Sequence, residues 1–208
     1  MEHILDLYHL PEDPARPVIC MDEQPVQMIR ETRIPTPATP NHPERFDYEY
    51  ERGGSTNVFM FNEPLTGWRR ATVCTRKTAL DWAEGIRRLL EEDYPFAEKV
   101  ILICDNLSTH TIASLYKAFP PEKAHRLAQR LELHFTPKHG SWLNMAEIEL
   151  SILTRQCLQR RIPDETCLRR EVDAWQKKRT AQQKGIDWQF STKDARIKLR
   201  RLYPQIQM

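Results

Sequence analysis

The sequence predicts an α/β domain, a mixed sheet flanked by helices with a basic helical extension at its C-terminus. Three observations carry that reading. Two apolar runs, Val18-Ile19-Cys20-Met21 and Val100-Ile101-Leu102-Ile103-Cys104, are continuous rather than alternating, as in strands buried on both faces. Shorter segments between them alternate or are bounded by Gly and Pro, and from Thr78 the apolar period changes to that of a helix. Residues 151–208 carry 14 Lys/Arg against 6 Asp/Glu, whereas residues 1–150 carry 17 against 23.

The elements follow in order. Pro11 and Pro14 end any helix spanning Ile4 to Leu10. Val18–Met21 is the first strand. Pro35, Pro37, Pro40 and Pro43 make residues 31–43 an extended loop. Phe46-Asp47-Tyr48-Glu49-Tyr50-Glu51 alternates aromatic and acidic residues, which predicts a half-exposed strand, and Gly53-Gly54 predicts a turn after it. Val58–Phe61 and Arg70–Cys74 complete a meander. Leu80, Ala83, Ile86, Leu89 and Leu90 mark a helix ending at Tyr94-Pro95. That helix supplies the crossover needed between parallel strands. After the strand at 100–104, helices are expected over 112–119 and 122–131, then a strand at Leu131–Phe135. Leu143–Leu158 reads as a helix capped by Ser141 or Asn144. A long polar helix from Pro163 to about Gln183, a break at Gly185 and a basic tail close the chain.

The chain has 208 residues, 40% of them apolar and 29% charged. That is enough for one sizeable domain with an extension. No run approaches the roughly 18 apolar residues of a membrane span. The N-terminus lacks a basic region followed by an apolar one, so secretion is not expected. The five cysteines include no CxxC pair, which fits reduced core thiols and argues against zinc.

Both apolar runs reach an aspartate, Asp22 and Asp105. If the strands lie side by side, their carboxyl ends bring the two acids together. Carboxylates that close repel unless a proton or a metal lies between them. Glu147 falls in the first turn of the expected helix, where the positive helix end favours an anion. Three carboxylates suit a hard divalent cation, which takes oxygen ligands. Glu149 is an alternative third ligand. Asn106 and His110 follow Asp105 closely and could orient it or a phosphate; a turn Asn and a helix-start His explain them equally well. Trp142 reads as a packing anchor, with stacking on an unpaired base as the alternative. Glu23 and Gln24 flank Asp22 without an assigned role. The excess of Lys and Arg in the last third suits a polyanion. Lys138, Arg155, Arg160, Arg161, Lys193, Arg196, Lys198, Arg200 and Arg201 are the candidate phosphate contacts.

The element order, with Asp at the first and fourth strands and Glu on a later helix, resembles the ribonuclease H-like fold of retroviral integrases and DDE transposases. Asp22-Glu23-Gln24-Pro25, Asp105-Asn106-Leu107-Ser108-Thr109-His110 and Leu143-Asn144-Met145-Ala146-Glu147 look like the three acidic blocks of mariner-like bacterial insertion-sequence transposases. Thr136-Pro137-Lys138-His139-Gly140-Ser141-Trp142 and Phe190-Ser191-Thr192-Lys193-Asp194-Ala195-Arg196-Ile197-Lys198-Leu199 fit the same family. The resemblance spans nearly the whole chain. It departs in the 41 residues between Asp105 and Glu147, longer than usual there.

The resemblance implies a five-stranded ribonuclease H-like core over residues 1–160 and a basic helical extension over 161–208. The N-terminal helix-turn-helix region of full-length members is expected to be absent, as in a separately translated product, a fragment or a decayed copy. It implies two Mg²⁺ or Mn²⁺ ions per site, about 4 Å apart, held by Asp22, Asp105 and Glu147, and no organic cofactor. The partners implied are DNA, both terminal inverted repeats and target, and a second copy of the chain on that DNA. No membrane is implied; the location is the bacterial cytoplasm, at the nucleoid. The implied reaction is cleavage at a transposon end followed by strand transfer. A nuclease or resolvase that only hydrolyses, and a non-catalytic DNA-binding remnant, are the alternatives.

Overall fold

The computed structural model describes residues 1–138 and 140–203; His139, in the lead-in to Trp142, and the residues from Pro204 on lie outside them. Five strands form one sheet: β1 (Val18–Glu31), β2 (Tyr50–Asn62), β3 (Arg69–Cys74), β4 (Val100–Cys104) and β5 (Leu131–Phe135). Their order is β3-β2-β1-β4-β5. β1, β2 and β3 are an antiparallel meander, while β4 and β5 add in parallel beside β1. The mixed sheet expected from the sequence is therefore present.

The helices are α1 (Glu2–Tyr8), α2 (Ala79–Arg88), α3 (Ile112–Ala118), α4 (Pro121–Gln129), α5 (Ala146–Leu153), α6 (Glu165–Thr180) and α7 (Thr192–Lys198). Thr78 and Asp81 form a capping box that starts α2, and a π turn over Leu89–Asp93 extends it. This helix returns the chain across the sheet so that β4 can pair parallel to β1. The pleat then divides the core in two. Val18, Cys20, Val58, Met60, Ile101 and Ile103 face α1, α5, α6 and α7. Ile19, Met21, Phe59, Phe61, Leu102 and Cys104 face α2, α3 and α4. Covering both faces is what makes the central strands read as unbroken apolar runs. Residues 163–203 pack into the first layer: Leu168, Val172 and Trp175 of α6 and Ala195 of α7 are buried there.

Three local expectations change. Phe46–Tyr48 lie outside any strand, and Gly53-Gly54 is no turn: β2 runs unbroken from Tyr50 to Asn62 through both glycines. The register explains why. Gln27 pairs with Ser55, but Ile29 pairs with Arg52, so β2 uses one residue more than β1 between those pairs. That is a β-bulge. Gly54 takes φ +92° there, which a residue with a side chain tolerates poorly. A Cβ on Gly53 would stand 2.6 Å from the Pro163 carbonyl oxygen. Second, Asp22 is not at the end of its strand; β1 continues nine residues further, to Glu31. Past Cys20 it pairs with β2 alone, and a one-sided strand can accommodate Pro25. Third, the helix expected from Leu143 begins at Ala146, after a 3₁₀ turn over Ser141–Leu143. Among the described residues, no helix is long and apolar enough to cross a membrane.

Gly53→Ala is expected to lower stability by about 1–3 kcal/mol, the usual cost of overpacking against a fixed neighbour. Urea denaturation would show a lower midpoint with an unchanged slope. A midpoint equal to that of the unsubstituted chain would mean that the loop carrying Pro163 gives way freely.

Candidate active site

β1 keeps its parallel partner only where Val18, Ile19 and Cys20 face Ile101, Leu102 and Ile103. Two residues further along each strand stand Asp22 and Asp105, where the strands part. Strand alternation sends Asp22 to the face of Cys20, toward α5, and Glu23 to the face of Met21, toward α2 and α3. Glu147 arrives from α5, and Asn144 locks that helix in place. The Asn144 side-chain amide donates to the Met21 carbonyl (2.8 Å), and its oxygen accepts from the Ala146 N–H (3.1 Å). Asn144 thus ties the start of α5 to β1 beside Asp22, while the N-cap position itself is Met145, without a side-chain cap bond, and not Ser141 or Asn144 as expected.

The electrostatics are those of crowded carboxylates. Burial pushes the Asp22 carboxyl up to about 7. A 2.8 Å bond from the Glu23 N–H opposes the rise, and the charges of Asp105, Glu147 and Glu23 add to it. In the unfolded chain Asp22 ionises near 3.8. Between about 3.8 and 7 the folded state therefore keeps a proton that the unfolded chain has released, so stability falls as pH rises through that window.

Asp105 is held from behind. His110, fully buried, places Nδ1 2.7 Å from Asp105 Oδ1 and 3.2 Å from the Asp105 carbonyl oxygen. Its Nε2 lies 3.1 Å from Glu23 Oε1, on a side chain only 4% exposed. The ring stacks on Trp82 with centroids 5.8 Å apart and planes inclined by 24°. Burial alone would lower the His110 pKa; its bonds to Asp105, Cys104 and Glu23 outweigh that and lift it to about 12. The imidazolium thus bridges two carboxylates. Its stabilising contribution is complete below about 6.5 and fades as pH rises toward 12.

A family model for DDE superfamily endonucleases matches residues 17–169. The chain belongs to that family. Three solved structures are similar to it in fold. The Mos1 strand transfer complex gives a TM-score of 0.56 at 14% identity, covering 84% of this chain and 50% of that one. A pre-cleavage Mos1 transpososome gives 0.54 at 13% identity, covering 90% and 61%. The Mos1 transposase paired-end complex with left transposon end gives 0.53 at 15%, covering 84% and 51%. This chain therefore spans about half to three-fifths of their length. No curated protein sequence matches it.

In this DDE family member the two glutamates of α5 have separate surroundings. Glu149 is fully buried between two arginines, with Arg69 Nε 3.0 Å from one oxygen and Arg179 Nη2 3.0 Å from the other. It joins β3, α5 and α6. Glu147 is half-buried, and its charge is the one that reaches Asp22. Asp22, Asp105 and Glu147 offer oxygen atoms only, the donor type that a hard divalent cation takes. The tighter group of Glu23, Asp105 and His110 has its ligand atoms within 4.8 Å of one another, with the His110 ring between the two carboxylates. Asn106 is exposed beside Asp105.

The basic candidates separate in the same way. Arg161 binds Glu31 (2.5 Å) and the Asp47 carbonyl (2.8 Å), holding the loop after β1. Arg196 grips Glu2 through bonds of 2.7 and 2.8 Å, tying α7 to α1. Lys198 lies 3.8 Å from Asp194, and Arg160 pairs with Glu171. Lys138, Arg155, Lys193, Arg200 and Arg201 are exposed. Trp142 is 41% exposed and meets Phe190 edge-on at 5.8 Å. The sequence reading left Glu23 without a role and did not single out Trp82. Strand parity was the available signal for Glu23, since it shares the inward face of Met21.

Asp22→Asn is expected to stabilise the metal-free protein near pH 8 by on the order of 1–3 kcal/mol and to change it little near pH 4. Thermal melts at the two pH values check this; an equal shift at both would remove the carboxylate from the explanation. Glu149→Ala is expected to cost about 3–5 kcal/mol, because it strands two arginines in the interior. A chemical-denaturation curve close to that of the unsubstituted chain would show that water reaches them.

Proposed function

We propose that this chain is the catalytic core of a DDE transposase that cuts DNA at the ends of a bacterial insertion sequence and joins them to a target. The observation that supports this reading best is that Asp22 and Asp105 each follow by two residues the last parallel pair of β1 and β4, with α5, which carries Glu147, tied to β1 through Asn144. Carboxylates brought together where two buried strands part suit a cation.

Asp22, Asp105 and Glu147 would hold Mg²⁺ or Mn²⁺. Two such ions would activate the attacking oxygen and stabilise the leaving one. Metal binding would displace the proton that Asp22 retains. His110 fixes the Asp105 carboxylate and Glu23 fixes His110, so neither the acid nor its orienter is free to rotate. Asn144 sets the distance of Glu147 from β1. In cleavage, a water oxygen bonds to phosphorus, the P–O3′ bond breaks, and the proton given up by the water is balanced at the departing 3′ oxygen. In joining, that 3′-hydroxyl attacks a target phosphorus and a target 3′ oxygen leaves. Only the nucleophile differs, so one set of carboxylates serves both steps. One of the Mos1 structures named above is a paired-end complex with a transposon end and another a strand transfer complex, which supports terminal repeats and target DNA as partners; a second copy of the chain on paired ends belongs to the same proposal. A cytoplasmic, nucleoid-associated location follows from the same reading.

The test is nicking of supercoiled plasmid with Mn²⁺. Asp22→Asn, Asp105→Asn and Glu147→Gln are each expected to lose more than about a hundredfold. His110→Gln, which acts only through its contact with Asp105, should lose about 10–100-fold. Wild-type nicking that survives Asp105→Asn would sink the assignment. Cleavage without joining of a pre-cut end would leave the chain a hydrolysing nuclease instead.

A further inference from the structure

We propose that the cleft between the π turn following α5 and the outer face of α6 is a binding site for the phosphodiester backbone of DNA flanking the cut. This rests on the reading of the acidic cluster just given, and it names surroundings that the cluster itself lacks. Asp22, Asp105 and Glu147 are each part-exposed carboxylic acids and present negative charge to a polyanion. DNA approaching them needs cations near by to hold it there.

The cleft has a volume of about 730 Å³. Glu171, Trp175, Lys178 and Gln182 line one wall, at the three- and four-residue spacing that puts side chains on one helix face. The opposite wall is the π turn Thr154–Leu158 with the residues after it, bringing Arg155 and Arg160. Such turns inside helices often mark functional positions. The floor is rigid: Trp175 is 7% exposed, and its indole N–H donates to Gln156 at 2.9 Å. Two of the cations already have carboxylate partners, Arg160 with Glu171 and Arg179 with Glu149. Arg155 and Lys178 are exposed on facing walls, and among the described residues neither is ion-paired. Two uncompensated cations across a polar cleft with an aromatic floor suit a chain of phosphates joined by sugars.

Position agrees with this. Arg155 follows Glu147 by eight residues of continuous helix, or about 12 Å at 1.5 Å per residue. Phosphates recur every 3.4 Å per strand along the duplex axis, so the cleft lies about three to four nucleotides from the acidic cluster. The rim is fixed to β1 as well: the Gln24 amide donates to Thr154 Oγ1 at 2.9 Å, two residues past Asp22. Sequence reasoning named Arg155 and Arg160 but not Lys178, because a lysine on a polar helix gives no sign of what it faces.

The experiment measures binding of a fluorescein-labelled short DNA duplex by anisotropy over a salt series, in EDTA so that no chemistry occurs. It compares the wild type with Arg155→Gln, Lys178→Gln, the double variant and Lys178→Arg. The slope of log affinity against log salt is expected to fall by about 0.9 for each charge removed, hence by about 1.8 in the double variant, with Lys178→Arg keeping the wild-type slope. Both side chains are exposed, and unchanged thermal melts would confirm folding. A double variant with the wild-type slope, or a wild type that does not bind the duplex, overturns the proposal. Plasmid nicking by the wild type judges the acidic cluster separately. Nicking with an unaltered slope in the double variant removes only the cleft; slopes that fall as expected without nicking remove only the assignment of the acids.

Discussion

β1 has two hydrogen-bonding partners as far as Cys20 and one beyond it. Up to that residue it is a central strand, apolar on both faces and enclosed by helices on either side. Beyond it β1 is an edge strand, paired with β2, which itself stays paired with β3 as far as Asn57. Asp22 and Asp105 stand at the parting. A carboxylate among the paired residues would be buried without relief; one far along the edge strand would be an ordinary surface acid. At the parting Asp22 is half-buried, enough for burial to hold its carboxyl well above the usual range. Glu147, Asn144 and His110 are all arranged around this break.

Two buried ionic networks sit on opposite layers of the sheet and do different work. Arg69, Glu149 and Arg179 join β3, α5 and α6 in a buried group in which one carboxylate is shared by two guanidinium groups. A network of this kind adds little net stability over apolar packing, yet it penalises any arrangement that separates its members. It thereby fixes the rotation of α5, and with Glu149 turned inward Glu147 is directed toward Asp22. On the other layer, Glu23, His110 and Asp105 form a chain leading to the site itself. His110 gives up solvent to stack on Trp82 and bridge two acids, which orients Asp105 while leaving its outer edge available.

The basic C-terminal region divides by the same criterion of partners. Arg196 ties α7 to α1, and Arg161 holds the loop after β1 against the core. These charges serve the fold. Arg155 and Lys178 have no such duty, so their charge remains for an outside ligand. Net charge by segment does not separate the two kinds, since each arginine counts alike until its neighbours are known.

The apolar runs, the change of period at Thr78, the prolines and the three acidic blocks determined the strand count on the buried side of the sheet, the helices and the positions of Asp22, Asp105 and Glu147. These are local matters of side-chain period and conformational limits, written in neighbouring residues. Tertiary structure decided the rest. Gly53-Gly54 has the local chemistry of a turn; only pairing with β1 makes it a bulge, because the register belongs to both strands. Glu147 and Glu149 are equivalent in sequence, and burial against Arg69 and Arg179 tells them apart. Glu23 became the anchor of His110 through residues 87 positions away. Sequence period sets which face a residue occupies, but what waits on that face comes from distant segments, and only folding brings them there.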